Sequence, residues 1–121
     1  MEIKKLDGRF SVCKVRDYSQ IDLQAEFCFI GKTDEESSLV CLTDRVPQNT
    51  VERDDGWRGF RIQGILDFSL IGVLSRITTV LADQGIGIFA ISTFNTDYIL
   101  TKEADFERAL EILAFSGYKV M

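Results

Sequence analysis

Along the second half of the chain the apolar positions switch between two periods, and the switches mark out the elements. Gly59-Phe60-Arg61-Ile62-Gln63-Gly64-Ile65-Leu66 alternates as a strand does. After Asp67-Phe68-Ser69 the apolar residues recur at Leu70, Val73, Leu74, Ile77, Val80 and Leu81, the period of a helix with one buried face. Asp67 or Ser69 is expected to cap its start and Gly85 to end it in a left-handed conformation. Residues 86–94 carry almost no polar side chain before Ser92 and read as a strand. Asn95-Thr96 supplies a tight turn, and residues 97–101 return as the next strand. Phe106, Ala109, Leu110 and Leu113 then define a second helix, closed by Gly117, and residues 118–121 form a last short strand. The order is β-α-β-β-α-β, the ferredoxin-like arrangement of one sheet with two helices on one face, and the fold class is α+β.

The first half reads as a shortened echo of the second. Residues 9–15, 26–31 and 39–42 have strand character. The polar stretch 17–24 leaves room for only a turn or two of helix. From Asp44 to Gly56 the chain is polar, contains its one proline (Pro47) and the charge run Glu52-Arg53-Asp54-Asp55, and is expected to be a solvated linker. Trp57 re-enters the fold. The expected division is therefore a shortened subdomain with its linker over residues 1–56 and a full β-α-β-β-α-β domain over 57–121. At 121 residues two independent cores would each be marginal, so the halves are expected to lean on each other.

Composition narrows the chemistry. With no histidine, Ser-His-Asp and Cys-His nucleophilic catalysis and most zinc sites are removed. No catalytic residue, metal ligand set or cofactor site is expected, and the chain is not expected to be an enzyme. A net charge of −5 with 14 scattered basic residues argues against nucleic acid and anionic membranes as partners. No apolar run exceeds strand length, so neither a signal peptide nor a membrane span is expected, and the expected location is cytoplasmic. Cys13, Cys28 and Cys41 sit among apolar neighbours with no Cys-x-x-Cys spacing, which suits a reducing compartment. They are read first as small hydrophobes in strands, with a redox or metal role as the alternative.

The loop after the first strand of the second half, Leu66-Asp67-Phe68-Ser69-Leu70-Ile71-Gly72, has no arginine to hold a phosphate and no cysteine pair to carry copper. The strand 97–101 offers Tyr98 but lacks the paired aromatics of RNA-recognition sheets. What remains is a helix N-terminus, whose free N–H groups attract an anion such as a carboxylate, beside a strand end with small polar groups. Gly72 in the first turn either lets a ligand approach or packs closely on the sheet. Ser92 and Thr93 end one strand. Asp97 begins the next, either to receive a ligand ammonium or as an edge-strand charge.

The segment 64–74, followed by Ala82-Asp83-Gln84-Gly85-Ile86 and Ile91-Ser92-Thr93-Phe94-Asn95-Thr96-Asp97-Tyr98-Ile99-Leu100, resembles an ACT domain. It is similar to small tandem-built bacterial ACT proteins and to the ACT modules of cytosolic arginine sensors and aspartate kinase. Gly8-Arg9-Phe10-Ser11-Val12-Cys13 and Leu39-Val40-Cys41 share that resemblance, so a shortened ACT-like half precedes the full ACT domain. The resemblance implies a non-catalytic, allosteric sensor that binds an amino acid where ACT units pair, usually as a homodimer, and it implies a partner enzyme. It puts the ligand-binding positions on the loop and helix start, Asp67, Ser69, Leu70, Ile71, Gly72 and Val73, and on the strand turn, Ile91, Ser92, Thr93 and Asp97. The alternative of a different class is a structural dimerisation module with no small-molecule ligand.

Overall fold

The computed structural model describes residues 1–64 and 72–121. In chain order these form strands β1 (Glu2–Lys5), β2 (Phe10–Val15), β3 (Cys28–Lys32) and β4 (Ser37–Leu42), a 3-10 turn (Thr43–Arg45) and strand β5 (Thr50–Ile62). Helix α1 (Val73–Asp83), strands β6 (Ile88–Ser92) and β7 (Asp97–Lys102), helix α2 (Glu103–Phe115) and strand β8 (Lys119–Val120) follow. The α+β, ferredoxin-like class expected from the sequence holds. The chain divides into two units, Met1–Asp7 with Arg58–Met121, and Gly8–Trp57. This differs from the contiguous division 1–56 and 57–121, because the first seven residues belong with the C-terminal unit.

In that larger unit the strand order is β6-β7-β5-β1-β8. A four-stranded β-α-β-β-α-β sheet sets its last strand beside its first. Here β1 lies between them, with Ile3 opposite Ile62 on its antiparallel side and opposite Val120 on its parallel side. Glu2-Ile3-Lys4-Lys5 offers one apolar residue in four, too little to announce a strand, yet Ile3 is fully buried. The helices cover the sheet with the residues the periodicity singles out. Val73, Ile77 and Leu81 come from α1, Phe106, Ala109, Leu110 and Leu113 from α2, and they meet Ile3, Phe60, Ile62 and Ile99 in one core. Gly85 (φ 74°) and Gly117 (φ 103°) follow the two helices, as expected. Gly59 has a separate reason to be glycine. A Cβ there would lie 2.7 Å from Leu100 Cδ2, closer than two carbons can approach.

In the smaller unit the order is β3-β4-β2-β5, with all three pairings antiparallel. That is the strand order of a β-α-β-β-α-β sheet whose helical crossovers have shrunk. The first crossover is a turn-rich segment in which Tyr18 and Ile21 pack on Cys13, Val15, Leu39 and Cys41, covering the face a helix would cover. The second is the 3-10 turn, whose Arg45 reaches Asp22 of the first crossover at 3.2 Å. The expected linker 44–56 is thus corrected: it holds this turn and the start of β5. Its polar composition hid the strand because residues 51–55 are exposed, and main-chain pairing to β2 (Cys13 opposite Arg53, Lys14 opposite Glu52) replaces an apolar pattern.

The hairpins of the two units match in detail. Lys32 opposes Ser37 across the loop 33–36, and Ser92 opposes Asp97 across the loop 93–96. In each, the first threonine donates its N–H to the fourth residue's carbonyl (Thr33 to Glu36, Thr93 to Thr96, both 2.9 Å). In each, that threonine's Oγ1 accepts the fourth residue's N–H. The expected two-residue turn at Asn95-Thr96 is therefore a four-residue loop closed by Thr93.

Ile3→Ala removes a fully buried side chain from the middle of the five-stranded order and is expected to cost about 2–5 kcal/mol. Urea denaturation against Val51→Ala, a change at a 60% exposed strand position expected to stay within about 0.5 kcal/mol, checks it.

Candidate functional site

The helix start is built by Gly72. It is the N-cap of α1 in a left-handed conformation (φ 79°, ψ 10°), with no side-chain cap. The expected caps Asp67 and Ser69, together with Leu70 and Ile71, lie outside the described residues, but the capping position itself is Gly72. The helix begins later than the periodicity suggested because glycine alone takes this turn without strain. The first intrahelical bond runs from Arg76 N–H to the Gly72 carbonyl at 2.9 Å, so the N–H groups before it point out of the helix end. Apart from Gly72 itself and its chain neighbours, the one atom of the described residues within 4 Å of a Cβ built on Gly72 is Arg76 Nη1, at 3.4 Å. A guanidinium, not the sheet, therefore stands over this glycine. Val73 is buried and anchors the first turn in the core.

The hairpin supplies the other side chains. Ser92 Oγ donates to Asp97 Oδ1 at 2.6 Å across the closing pair of β6 and β7. One hydroxyl occupies one of the several lone-pair sites of that carboxylate. Ile91 is half-buried, while Ser92 and Thr93 are exposed. Thr96, buried in the loop, donates its hydroxyl to the Ile62 carbonyl at 2.7 Å. This bond ties the hairpin tip to the end of β5, where the chain leaves the sheet towards the helix start. Behind it, Arg61 donates from Nε to Gln63 Oε1 at 3.0 Å and from Nη1 to the Tyr98 hydroxyl at 3.4 Å.

Thr96, Arg76 and Arg61 were not anticipated from the sequence. Arg76 stands one helical turn after Gly72, a spacing that could have been read. Thr96 forms a Thr-x-x-Thr pair with Thr93, also visible in the sequence, but its partner is a carbonyl more than thirty positions away, which no local pattern reveals.

The cysteines are closer together than their spacing suggests. Cys28 faces Cys41 across β3 and β4. Cys41 donates to the Cys13 sulfur, which lowers the Cys13 pKa against the opposing effect of burial. The same bond, with burial, raises that of Cys41. Burial also raises Cys28, with the Asp22 carboxylate adding to it. All three are free thiols, Cys13 and Cys41 buried and Cys28 half-buried. Among the described residues no group of His, Cys, Asp and Glu side chains is placed to hold a metal, and no helix is long and apolar enough to cross a membrane.

A ferredoxin-like sheet covered by two helices places the chain in a class of small α+β modules. A sequence profile described as the ACT domain matches residues 52–114, more than half of the chain, and the chain belongs to the ACT-domain family. A crystal structure of a protein from Agrobacterium tumefaciens is similar at 34% identity and TM-score 0.84, covering 99% of this chain and 91% of that one. The ligand-free regulatory subunit of aspartate kinase from Thermus thermophilus is similar in fold at 10% identity and TM-score 0.65, covering 97% and 98%. Aspartate kinase from Clostridium acetobutylicum, described as an allosteric enzyme, is similar in fold at 13% identity and TM-score 0.63. That match covers 90% of this chain and 32% of that one. No protein of curated function matches the sequence.

Thr96→Val leaves the Ile62 carbonyl without its hydroxyl donor and is expected to cost about 1–3 kcal/mol, with faster amide exchange at the hairpin tip. Thr96→Ser keeps the donor and should recover most of the loss in the same exchange measurement.

Proposed function

We propose that this chain is a non-catalytic regulatory module that binds an amino acid. The ligand carboxylate rests at the start of α1, on the N–H groups at Ile71 to Val73, and the ammonium lies near Asp97. The observation that carries the reading is the left-handed Gly72 cap with the Arg76 guanidinium over it. It combines outward N–H groups, a close backbone approach and a cation at one helix end. Asp97, with part of its acceptor capacity held by Ser92, supplies the opposite charge. The ACT-domain match and the fold shared with aspartate kinase regulatory chains support a regulatory role.

Magnitudes favour a site completed by a second unit. A helix terminus contributes roughly 0.3–2 kcal/mol to a bound charge, whereas micromolar affinity needs about 8 kcal/mol. The difference has to come from burying the ligand side chain against a second wall. The reading therefore takes the protein as a homodimer with the ligand at an ACT–ACT interface, acting on a partner enzyme. Lack of histidine supports a non-catalytic role.

A second reading, a structural dimerisation module with no ligand, is favoured by Phe115, which is 95% exposed beside Val80 and Ile112 between the two helices. An exposed ring next to apolar side chains is the kind of surface a second copy covers.

Thermal-shift screening of the twenty amino acids, followed by calorimetry on any that raise the melting temperature, separates the two. The first reading expects at least one binder, lost in Asp97→Ala with the fold of the free protein intact. A dimer of constant size with no heat from any amino acid at millimolar concentration favours the second.

A further inference from the structure

Three strands of the smaller unit each place one cysteine on the same face of its sheet. Along β4, Leu39 and Cys41 point to one side, because alternate residues of a strand share a face. Cys28 stands directly opposite Cys41 across β3 and β4, and Cys13 directly opposite Leu39 across β2 and β4. All three cysteines therefore belong to the cluster that Tyr18 and Ile21 cover, and all three are free thiols. We propose that Cys28 and Cys41 are a redox-active pair that a hydroperoxide closes to a disulfide, stapling β3 to β4. The proposal goes beyond ligand binding at α1 and does not rest on it.

Strand register decides which two cysteines can bond. Directly opposite residues of an antiparallel pair have Cα atoms about 4.5–5.5 Å apart, whereas diagonal neighbours stand at about 7–8 Å. A disulfide needs Cα atoms within roughly 4.4–6.8 Å. Cys28 and Cys41 meet that condition by their register. Cys13 and Cys41 are diagonal across β2 and β4 and fall beyond it; they meet through the longer reach of a hydrogen bond, in which Cys13 accepts the Cys41 S–H. On its β2 side Cys41 faces Ser11, whose hydroxyl is already engaged by Thr43 Oγ1 at 2.8 Å and Asp55 Oδ1 at 2.6 Å. Cys28 is thus the thiol that directly opposes Cys41.

Access orders the chemistry. Cys41 is buried, whereas Cys28 is half-buried at the start of an edge strand whose one strand partner is β4, so a peroxide meets Cys28 first. The Cys28 thiolate attacks a peroxide oxygen: the S–O bond forms, the O–O bond breaks, and the leaving hydroxide takes up the thiol proton as water. The Cys41 sulfur then attacks the sulfur of the Cys28 sulfenic acid. The S–S bond forms, the S–O bond breaks, and a second water leaves with the Cys41 proton. Two thiols have lost two electrons, and one peroxide has become two waters. Burial and the Asp22 carboxylate raise the Cys28 pKa, and the bond to Cys13 together with burial raises that of Cys41. Little thiolate is present at neutral pH, and the reaction is expected to be slow. The exposed side of Cys28 leaves the finished bond open to a reducing thiol.

The test treats the full chain with millimolar hydrogen peroxide, unfolds it in an alkylating reagent, and maps the cysteine peptides by mass spectrometry. A disulfide linking Cys28 to Cys41 is expected, with Cys13 alkylated, and dithiothreitol restores three alkylated thiols. Cys13→Ala keeps the disulfide, and Cys28→Ser abolishes it. Amide exchange along β3 is expected to slow by about tenfold or more on oxidation, because the bond closes the hairpin at a second point. The proposal is overturned if the linkage contains Cys13, if Cys28 stops at a sulfinic acid, or if the bond joins two chains. It is equally overturned if peroxide leaves all three thiols free unless urea is present, or if the disulfide forms and exchange along β3 does not change.

Discussion

The C-terminal unit depends on the main-chain pairing of β1. Four residues at the start of the chain lie between β5 and β8 and bond to both. The Ile3 carbonyl receives the Met121 N–H at 2.7 Å, and the Glu2 carbonyl receives the Gln63 N–H at 2.9 Å. Burying the one apolar side chain of β1 is worth roughly 1.5–3 kcal/mol, but its larger effect is on the neighbours. Without β1 both β5 and β8 would have an open edge, and unpaired buried backbone groups are costly. The two-residue β8 has no other pairing partner among the described strands.

The two units carry out one plan with different means. The C-terminal unit covers its sheet with two helices that contribute seven buried core residues, Val73, Ile77, Leu81, Phe106, Ala109, Leu110 and Leu113. The smaller unit replaces the first helix with turns that lay Tyr18 and Ile21 on the sheet, and the second with a single 3-10 turn. It keeps the hairpin, including the threonine that closes the loop and the burial of the returning strand: β4 and β7 have the same sequence of half-buried and buried positions. A hairpin is a local structure with its own closing bonds, so it survives the loss of the helices around it. The cluster under those turns is Cys13, Val15, Leu39 and Cys41, the two cysteines being free thiols.

At the candidate site, position comes from the sheet and chemistry from its ends. Val73 in the core fixes the first turn of α1, and Thr96 fixes the hairpin tip to the end of β5. The exposed groups, Ser92, Thr93 and the partly exposed Asp97, are left at the rim. Rigid elements thus hold polar groups that remain accessible at the surface.

Much of this was legible in the sequence. Periodicity identified the buried face of α2 residue by residue. On α1 it identified Val73, Ile77 and Leu81, with Leu74 and Val80 partly buried beside them, because a helix that covers a sheet repeats its apolar positions over several turns. Leu70 lies outside the described residues. The pattern also identified β2, β3, β4, β6 and β7 to within a few residues, and the glycines that follow the helices. The positions of Gly72 at a helix start and of Ser92, Thr93 and Asp97 at a strand turn were legible too. The place of β1, the strand character of residues 50–56 and the bond from Thr96 to Ile62 were decided by tertiary structure alone. The physical reason is common to all three. Each rests on a partner supplied by the fold, a neighbouring strand's backbone or a distant carbonyl, and backbone pairing leaves no mark on side-chain pattern. Local sequence determined which segments bury a face; only the folded chain decided which edges meet.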